Sequence, residues 1–263
     1  MLFKDQMHRV FELKDSPKRI ISLVPSQTEL LCDLGLEDLL VGITKFCVHP
    51  TNIKTTKTIV GGTKQIKLDK IKALQPDIIL CNKEENTKEI VEACEKICSV
   101  HVSDIASIED CLEMIEHYGE LFNKKEEAQE LQRAINDALN NFNAFISKQP
   151  VVKVAYCIWK DPWMVAGNDT FIDFLLTTNK FENAFSSKNR YPEITIQELG
   201  SRTIDIVLLS SEPFPFKEKH IEALKEALNN ETKIILVDGE MFSWYGSRLL
   251  KAFDYFKELR NSL

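Results

Sequence analysis

The sequence predicts an α/β protein of two similar lobes, each with a parallel sheet, joined by one long rigid α-helix. Short apolar runs alternate with amphipathic runs in both halves of the chain, which is typical of parallel sheets built from βαβ units. Between the halves, residues 124–148 contain neither glycine nor proline, and their apolar residues recur at helical spacing. The segment DIILCNKE at Asp77 recurs as DIVLLSSE at Asp205, which indicates a duplicated fold.

In the first half, the apolar runs predict four strands, at residues 19–24, 39–44, 77–81 and 99–102. Ser26 and Glu29 have the spacing of a capping box and predict a helix that Gly35 ends. Asn86 and Ser107 predict the starts of two further helices. In the second half, strands are predicted at 153–158, 204–209 and 233–237, and helices at 170–176, 217–228 and 247–259.

The connecting helix is predicted from Lys124 to Lys148, and Pro150 follows its end. At a rise of about 1.5 Å per residue it would exceed about 30 Å, the width of a small domain. The predicted organisation is an N-terminal α/β lobe at residues 1–122, a connecting helix at 123–149 and a C-terminal α/β lobe at 150–263. A single continuous sheet is the alternative, and the long helix disfavours it.

Composition excludes several classes of function. The net charge of -7 and the lack of a basic stripe exclude a nucleic-acid partner. No apolar run reaches the roughly 18–20 residues that cross a bilayer. The N-terminus carries acids and lacks the apolar centre of a signal peptide, and seven cysteines without disulfide-framework spacing favour a reducing compartment. We therefore expect a cytoplasmic protein if the chain is complete.

The candidate binding site consists of the residues that follow the predicted strands, because open parallel sheets bind ligands beyond the carboxyl ends of their strands. These residues are mostly aromatic, polar or charged: Pro25, Ser26, Gln27, Phe46, Lys83, Glu84, Trp159, Asp161, Trp163, Glu212, Phe214, Glu240, Phe242, Trp244, Tyr245 and Arg248. If the two lobes face each other, these ends line one cleft, and its aromatic area favours a flat organic or organometallic ligand. The alternative is that the tryptophans pack between loops as local cores.

The carboxylates leave an enzymatic interpretation open. Four of them follow strands and have the chemistry of an acid and base pair: Asp161, Glu212, Asp238 and Glu240. Their alternative roles are helix capping and ion pairing, and no known catalytic motif accompanies them. Cys47 and His49 form one pair of metal-ligand type, but the other histidines do not converge on it. We expect neither a catalytic residue nor a metal-ion site.

Three segments carry a family resemblance: RIISLVPSQTELLCDLGLEDLLVGIT, KIKALQPDIIL and FIDFLLTTNKFENAF. They resemble the substrate-binding proteins of ABC transporters for cobalamin, haem and ferric siderophores, most of all the cobalamin-binding branch, called helical backbone metal receptors. The resemblance spans about residues 17–260. It implies a class III periplasmic binding protein: two Rossmann-like lobes joined by one long helix, with the ligand between them.

The resemblance also implies roles for particular residues. Three segments would face the ligand: Pro25–Glu29, Trp159–Trp163 and Phe242–Trp244. Glu89 and Glu218 would dock onto the arginines of a permease. The protein would need no cofactor, and its ligand would be cobalamin or another metal chelate. The family implies a periplasmic location, in contrast to the expectation from the N-terminus.

Two functions follow from these observations. The favoured one is the monomeric substrate-binding component of an ABC importer, which binds a corrinoid or another iron or metal chelate without catalysis. The alternative is a leaderless cytoplasmic sensor of a corrinoid or metal chelate, or a carboxylate-dependent enzyme, on the same fold. The charged loop with Lys83, Glu84 and Glu85 indicates a ligand with polar groups.

Overall fold

The computed structural model describes residues 1–228 and 232–263. The chain forms two compact units, each with its own sheet: Met1–Asn136 with Trp244–Leu249, and Asp137–Ser243 with Leu250–Leu263. The first boundary falls inside one 22-residue helix, Lys125–Ile146. The six residues Trp244–Leu249 group with the first unit, although they lie between elements of the second. In the described part of the chain, no helix is long and apolar enough to cross a membrane.

The first unit begins with an antiparallel hairpin and continues as a parallel sheet. The hairpin strands are β1 (Leu2–Lys4) and β2 (Val10–Glu12). The sheet strands are β3 (Ile20–Ser22), β4 (Leu40–Ile43), β5 (Thr58–Ile59), β6 (Ile78–Asn82) and β7 (Ser99–Ser103). Their spatial order is β5-β4-β3-β6-β7, with every pair parallel. Because β3 and β6 are covered on both faces, all their residues are buried.

Helices connect the strands of the first unit. They are α1 (Pro25–Asp33), a 3₁₀ turn (Glu37–Leu39), α2 (Ile53–Thr56), α3 (Leu68–Ala73), α4 (Lys88–Glu95) and α5 (Ile108–Leu121). The predicted cap of α5 is confirmed, since Ser107 and Asp110 form a reciprocal capping box. Helix α6 (Lys125–Ile146) is the long helix that the sequence predicts between the halves.

The second unit has a mixed sheet. Its strands are β8 (Val152–Trp159), β9 (Trp163–Val165), β10 (Phe181–Asn183), β11 (Glu193–Ile194), β12 (Ile206–Ser210) and β13 (Lys233–Val237). Strands β10, β8, β12 and β13 are parallel neighbours. Strand β9 pairs antiparallel with the C-terminal part of β8, and β11 pairs antiparallel with β9.

The helices of the second unit pack on this sheet. They are α7 (Phe171–Thr178), α8 (Ile196–Gly200), α9 (Glu218–Ala227), α10 (Gly239–Ser243) and α11 (Leu249–Ser262), of which Leu249 belongs to the first unit. Phe142 of α6 packs on Phe253 and Phe256 of α11, with ring centroids 5.6 and 6.0 Å apart. The C-terminal part of α6 is therefore held in the second unit by aromatic contacts.

The repeated sequence segment corresponds to a repeated structural device. Asp77 precedes β6 and accepts backbone N–H bonds from Lys18 and Arg19, just before β3. Asp205 precedes β12 and accepts the backbone N–H of Lys153 in β8. In both units, this aspartate binds the start of the neighbouring parallel strand. The sequence segment repeated in the two halves therefore makes the same kind of contact in each.

The predicted fold class is confirmed, with two α/β units connected along the chain by α6. Two predicted helix starts are wrong. Helix α1 begins at Pro25 with Val24 at its N-cap, because proline fits the first turn of a helix. Helix α4 is capped by Thr87 rather than Asn86, whose side chain instead accepts the N–H of Asn82. The hairpin β1–β2 and the short strands β5, β9, β10 and β11 were not predicted, because each is too short to show a periodic pattern.

Candidate functional site

A buried hydrogen-bond network lies beneath the carboxyl end of the first unit's sheet. The Gln27 amide nitrogen, in the first turn of α1, donates to Ser103 Oγ at 2.6 Å and to the Tyr245 hydroxyl at 3.1 Å. The Tyr118 hydroxyl donates to the Gln27 amide oxygen at 2.8 Å, and Asn82 donates to Ser103 Oγ at 3.0 Å. Burial raises the pKa of both tyrosines above the ordinary value, so both remain protonated. Gln27 therefore serves as an internal link between α1, β7 and α5.

A buried ion pair anchors the segment Trp244–Leu249 within the first unit. Arg248 donates to Glu29 through Nε at 2.7 Å and through a second guanidinium nitrogen at 2.8 Å. Both side chains are at most 5% exposed, so this is a bidentate pair shielded from water. The guanidinium also lies 4.9 Å from the Trp244 ring, and that ring meets the His49 ring edge-on at 5.4 Å.

The exposed part of the first unit's strand ends is aromatic and charged. The Phe46 side chain is 50% exposed, and Lys45 lies over its ring at 4.9 Å. Lys83 pairs with Asp104 at 2.6 Å on the surface. Glu84 and Glu85 follow β6 and are half-buried. Burial first, and then the neighbouring Glu84 carboxylate, raise the pKa of Glu85, so this site favours its protonated form more than water does.

Aromatic side chains gather at the strand ends of the second unit. Trp159 ends β8 and is 38% exposed, and its ring meets Phe214 edge-on at 5.6 Å. Trp163 is half-buried and stacks on Phe216 at 5.7 Å. Phe214 and Phe216 are 4.7 Å apart, and both contact the His220 ring. The cluster leads from the core of this unit to one exposed indole, that of Trp159.

The second unit also presents carboxylates at these strand ends. Asp161 is exposed and pairs with Lys160 at 3.2 Å. Glu212 accepts the Ser243 hydroxyl at 2.8 Å, which orients its half-buried carboxylate. Glu240 is half-buried at the start of α10. Gly239 permits this arrangement, because a Cβ added there would overlap Ser210 Oγ and the side chain of Glu212.

The structure divides the predicted site residues into two groups. Those with exposed or half-exposed side chains are Phe46, Lys83, Glu84, Trp159, Asp161, Trp163, Glu212, Phe214 and Glu240. Those with buried side chains are Pro25, Ser26, Gln27, Phe242, Trp244, Tyr245 and Arg248. Phe242 lies in the core of the second unit against Tyr156 and Phe256, at 5.1 and 4.7 Å. The aromatic side chains Phe242, Trp244 and Tyr245, which follow β13, are therefore buried within the protein itself.

The sequence did not predict the contacts or burial of three residues near these strand ends. Glu29 holds Arg248, Tyr118 holds Gln27, and Glu85 places a second acidic side chain next to Glu84 after β6. The first two pairs are separated by 219 and 91 residues, so no local pattern could have shown them. Glu85 was visible as part of the charged loop, but its burial was not.

The two candidate docking residues occupy equivalent positions. Glu89 lies in the first turn of α4, which follows β6, and Glu218 is the first residue of α9, which follows β12. Both side chains are exposed. Hydrogen bonds from its own backbone N–H and from Thr87 lower the pKa of Glu89, so its charge is maintained. The duplicated fold thus presents one exposed carboxylate at the same helix start in each unit.

Within the described residues, no group of three or more histidine, cysteine, aspartate or glutamate side chains is placed to hold a metal ion. The strand ends instead offer aromatic surface, hydrogen-bond acceptors and a few cations. Such a surface can bind and orient a polar ligand with a flat apolar face.

Comparison with known proteins identifies the family. The family model described as periplasmic binding protein matches residues 20–232. The ABC transporter substrate-binding lipoprotein YvrC of Bacillus subtilis, itself uncharacterized, is 25% identical over 213 residues, covering 78% of this chain and 67% of the relative. A vitamin B12-binding protein of Vibrio campbellii is 25% identical over 195 residues, covering 73% of this chain and 70% of the relative.

Solved structures show the same fold. The periplasmic vitamin B12-binding protein BtuF of Vibrio cholerae superposes with a TM-score of 0.79 at 18% identity, covering 94% of this chain and 99% of that one. A periplasmic haem-binding protein of Pseudomonas aeruginosa superposes with a TM-score of 0.81 at 19% identity, covering 93% of this chain and 92% of that one. These relatives are binding proteins rather than enzymes, and they lend no support to a cytoplasmic sensor or a carboxylate-dependent enzyme. The chain belongs to the periplasmic binding protein family of ABC-transporter substrate-binding proteins.

Proposed function

We propose that this protein is the substrate-binding component of an ABC importer and that its ligand is a corrinoid. Relatives named vitamin B12-binding proteins support the ligand class, and the lipoprotein relative supports a location outside the cytoplasmic membrane. Haem and ferric siderophores are the competing ligands, since the same fold serves a haem-binding protein. Charge and aromatic surface at the strand ends favour the corrinoid.

The first argument is the exposed aromatic area. Trp159 is the tryptophan with an exposed ring at the strand ends of the second unit, and Phe46 is exposed at those of the first. Each offers a flat apolar face, and burying such a face against the ring system of a ligand is favourable in water. Phe214 supports Trp159 edge-on, so the indole is oriented before any ligand arrives.

The second argument, and the observation that carries the proposal, is the charge of the second unit's strand ends. Asp161, Glu212 and Glu240 place three carboxylates there, and Lys160 pairs with Asp161. The rim of a corrinoid carries neutral amide groups, which donate hydrogen bonds to carboxylates. Haem carries two carboxylates, and ferric siderophores are commonly anionic, so the same residues would repel them.

The proposed contacts follow from exposure. In the second unit, the ligand would stack on Trp159, with Trp163 and Phe214 behind the indole, and its amides would bind Asp161, Glu212 and Glu240. In the first unit, the candidate contacts are Phe46, Glu84 and Lys83. The buried residues of the predicted set act indirectly in this proposal. Gln27, Tyr245, Trp244 and Arg248 hold the first unit's strand ends in place, whereas Phe242 belongs to the core of the second.

Ligand titration with matched variants tests the proposal. The wild type is titrated with cyanocobalamin, hemin and a ferric siderophore, and tryptophan fluorescence is followed with correction for ligand absorbance. We expect saturable quenching by cyanocobalamin, weakened at least about tenfold by Trp159→Ala because a stacked aromatic contact is lost. Trp163→Phe, which keeps the packing on Phe216, is the control. Saturable binding of hemin or the siderophore alone would refute the corrinoid assignment.

We also propose that Glu89 and Glu218 dock the protein onto its permease. Both carboxylates are exposed and lie in the first turn of the corresponding helix of the two units. Arginine is the natural partner for such a group, since it binds carboxylates in a bidentate geometry. Glu89→Arg and Glu218→Arg should abolish ligand-stimulated ATP hydrolysis by the reconstituted transporter while ligand affinity is unchanged. Unchanged stimulation by the double variant would contradict this docking.

A further inference from the structure

The outer edge of β7 is closed by side chains rather than by a strand. In the described sheet β7 is the last strand, and β6 is its partner. The loop Asp5–Arg9, between β1 and β2, covers its other side. The Val102 N–H donates to the Asp5 carboxylate at 3.0 Å, and Arg9 donates to the Val100 carbonyl at 3.1 Å. These two bonds replace those of a neighbouring strand.

Further polar contacts extend this cover along the strand. The Asp104 N–H donates to the Gln6 side-chain oxygen at 3.2 Å. At the other end of β7, the Ser99 hydroxyl donates to the Glu12 carbonyl at 2.7 Å. The hairpin therefore follows the whole edge of β7 without forming a β-ladder with it.

Asp5 is the centre of the cover. Its buried carboxylate accepts the N–H groups of Met7 and Arg9 at 3.0 and 2.9 Å, and the Arg9 guanidinium at 2.8 and 3.0 Å. Arg9 is held in turn by Glu95 of α4 at 2.5 Å. A buried carboxylate with this many donors is fully satisfied, so the loop is shaped to present it to Val102.

The hairpin is held by these polar contacts and by Phe11, whose ring packs edge-on against His101 at 6.1 Å. A half-open pocket of about 390 Å³ lies beside these contacts, lined by Arg9, Val10, Phe11, Glu95, Cys98, Ser99 and Val100. Leu2 and Val10, on the outer side of the hairpin, are exposed. Release of the hairpin would therefore cost less burial than release of a core element.

The β7 sequence is suited to pairing with itself. Ser99–Ser103 reads Ser-Val-His-Val-Ser in both directions and has no charged residue, and its valines are strong strand formers. In an antiparallel pair centred on His101, Val100 lies opposite Val102 of the second copy. Its carbonyl and the N–H of Val102 then bond across the pair, and these are the groups that Arg9 and Asp5 now occupy.

We propose that the outer edge of β7 is a strand-pairing surface for a second copy of this chain, and that the loop Asp5–Arg9 closes it in the monomer. Uncovered edges are the usual route by which sheets associate, and natural proteins protect them with charged side chains. A two-fold pair of β7 strands would extend the five-stranded sheet across both copies.

The test uses the full chain with Asp5→Ala and Arg9→Ala together, and Lys4→Ala with Glu12→Ala as the control on the same hairpin. Sedimentation velocity reports association, and amide hydrogen exchange reports the Val102 N–H. We expect a concentration-dependent dimer for the first variant alone. Its Val102 amide should exchange at least about tenfold faster than in the wild type when dilute, and regain protection when concentrated.

Two results would overturn the proposal: a variant that stays monomeric at every concentration, or a dimer in which Val102 remains unprotected. Arg9→Gln alone is the milder variant, because Asp5 then keeps its bonds from the loop and from Val102. Circular dichroism establishes that either variant is folded. Folded Arg9→Gln should associate more weakly than the double variant, and an equal or stronger association would also count against the proposed role of Asp5.

Discussion

Acidification should destabilise the first unit through one buried histidine. His101 lies in β7 with only 1% of its surface exposed. Its ring packs edge-on against Phe11, His117 and Tyr118, at centroid distances of 6.1, 6.1 and 5.3 Å. Neither ring nitrogen has a hydrogen-bond partner among the described residues. The imidazole is therefore held in its neutral form.

The environment of His101 lowers its pKa strongly. Burial is the main cause and brings the pKa from 6.5 to about 3, with smaller contributions from His117 and Arg9 in the same direction and from Asp5 in the opposite one. Between these two values the unfolded chain binds a proton that the folded chain does not. Stability should therefore fall as the pH falls below 6.5. At roughly 1.4 kcal/mol per pH unit, the loss between pH 7 and pH 5 is about 2 kcal/mol.

Urea unfolding at pH 7 and pH 5 measures this loss. His101→Phe removes the titrating group but keeps a ring in an aromatic environment, so its stability should depend less on pH by about 2 kcal/mol. His220, whose pKa is also lowered, contributes equally in both proteins. His8→Asn is the control: it is exposed, and asparagine tolerates its positive φ of 59°. Equal pH dependence of the wild type and His101→Phe would refute the assigned role of His101.

Three other perturbations have defined outcomes. Glu29→Gln should cost about 3–5 kcal/mol in urea unfolding, because it removes the negative charge from a buried bidentate ion pair; a loss below about 1 kcal/mol would contradict this. Tyr118→Phe should cost about 1–3 kcal/mol, because the Gln27 oxygen loses its donor, and an unchanged unfolding midpoint would show that another group replaces it. Gly239→Ala should cost about 1–3 kcal/mol in the same assay, because the new Cβ overlaps Ser210 Oγ, and a neutral effect would mean that the loop after β12 is free to shift.

The fold could be predicted because its signals are local. Alternating apolar and amphipathic runs give the parallel strands β3, β4, β6, β8, β12 and β13 to within two residues at each end. The absence of glycine and proline gives α6, and Ser107 gives the start of α5. Each of these features depends on residues that are close together in the chain.

The site could be predicted only in part, because its details depend on distant residues. The strand-end rule selects Trp159, Asp161 and Glu212, which the structure places at or near the surface. The same rule selects Arg248, which is buried in an ion pair with Glu29, 219 residues away, and Trp244, which is buried against Arg248 and His49. Aromatic residues after a strand show that something covers them, but not whether the cover is a ligand or the protein itself.

Isothermal titration calorimetry with cyanocobalamin is the most direct measurement of the proposed function. The wild type should bind one molecule per chain, Trp159→Ala should bind at least about tenfold more weakly, and Glu212→Gln should bind with an affinity between the two. Hemin should give no saturable heat, because carboxylates at the strand ends repel its own. Tight binding of hemin, or cyanocobalamin affinity that is the same in all three proteins, would contradict a corrinoid site at these strand ends.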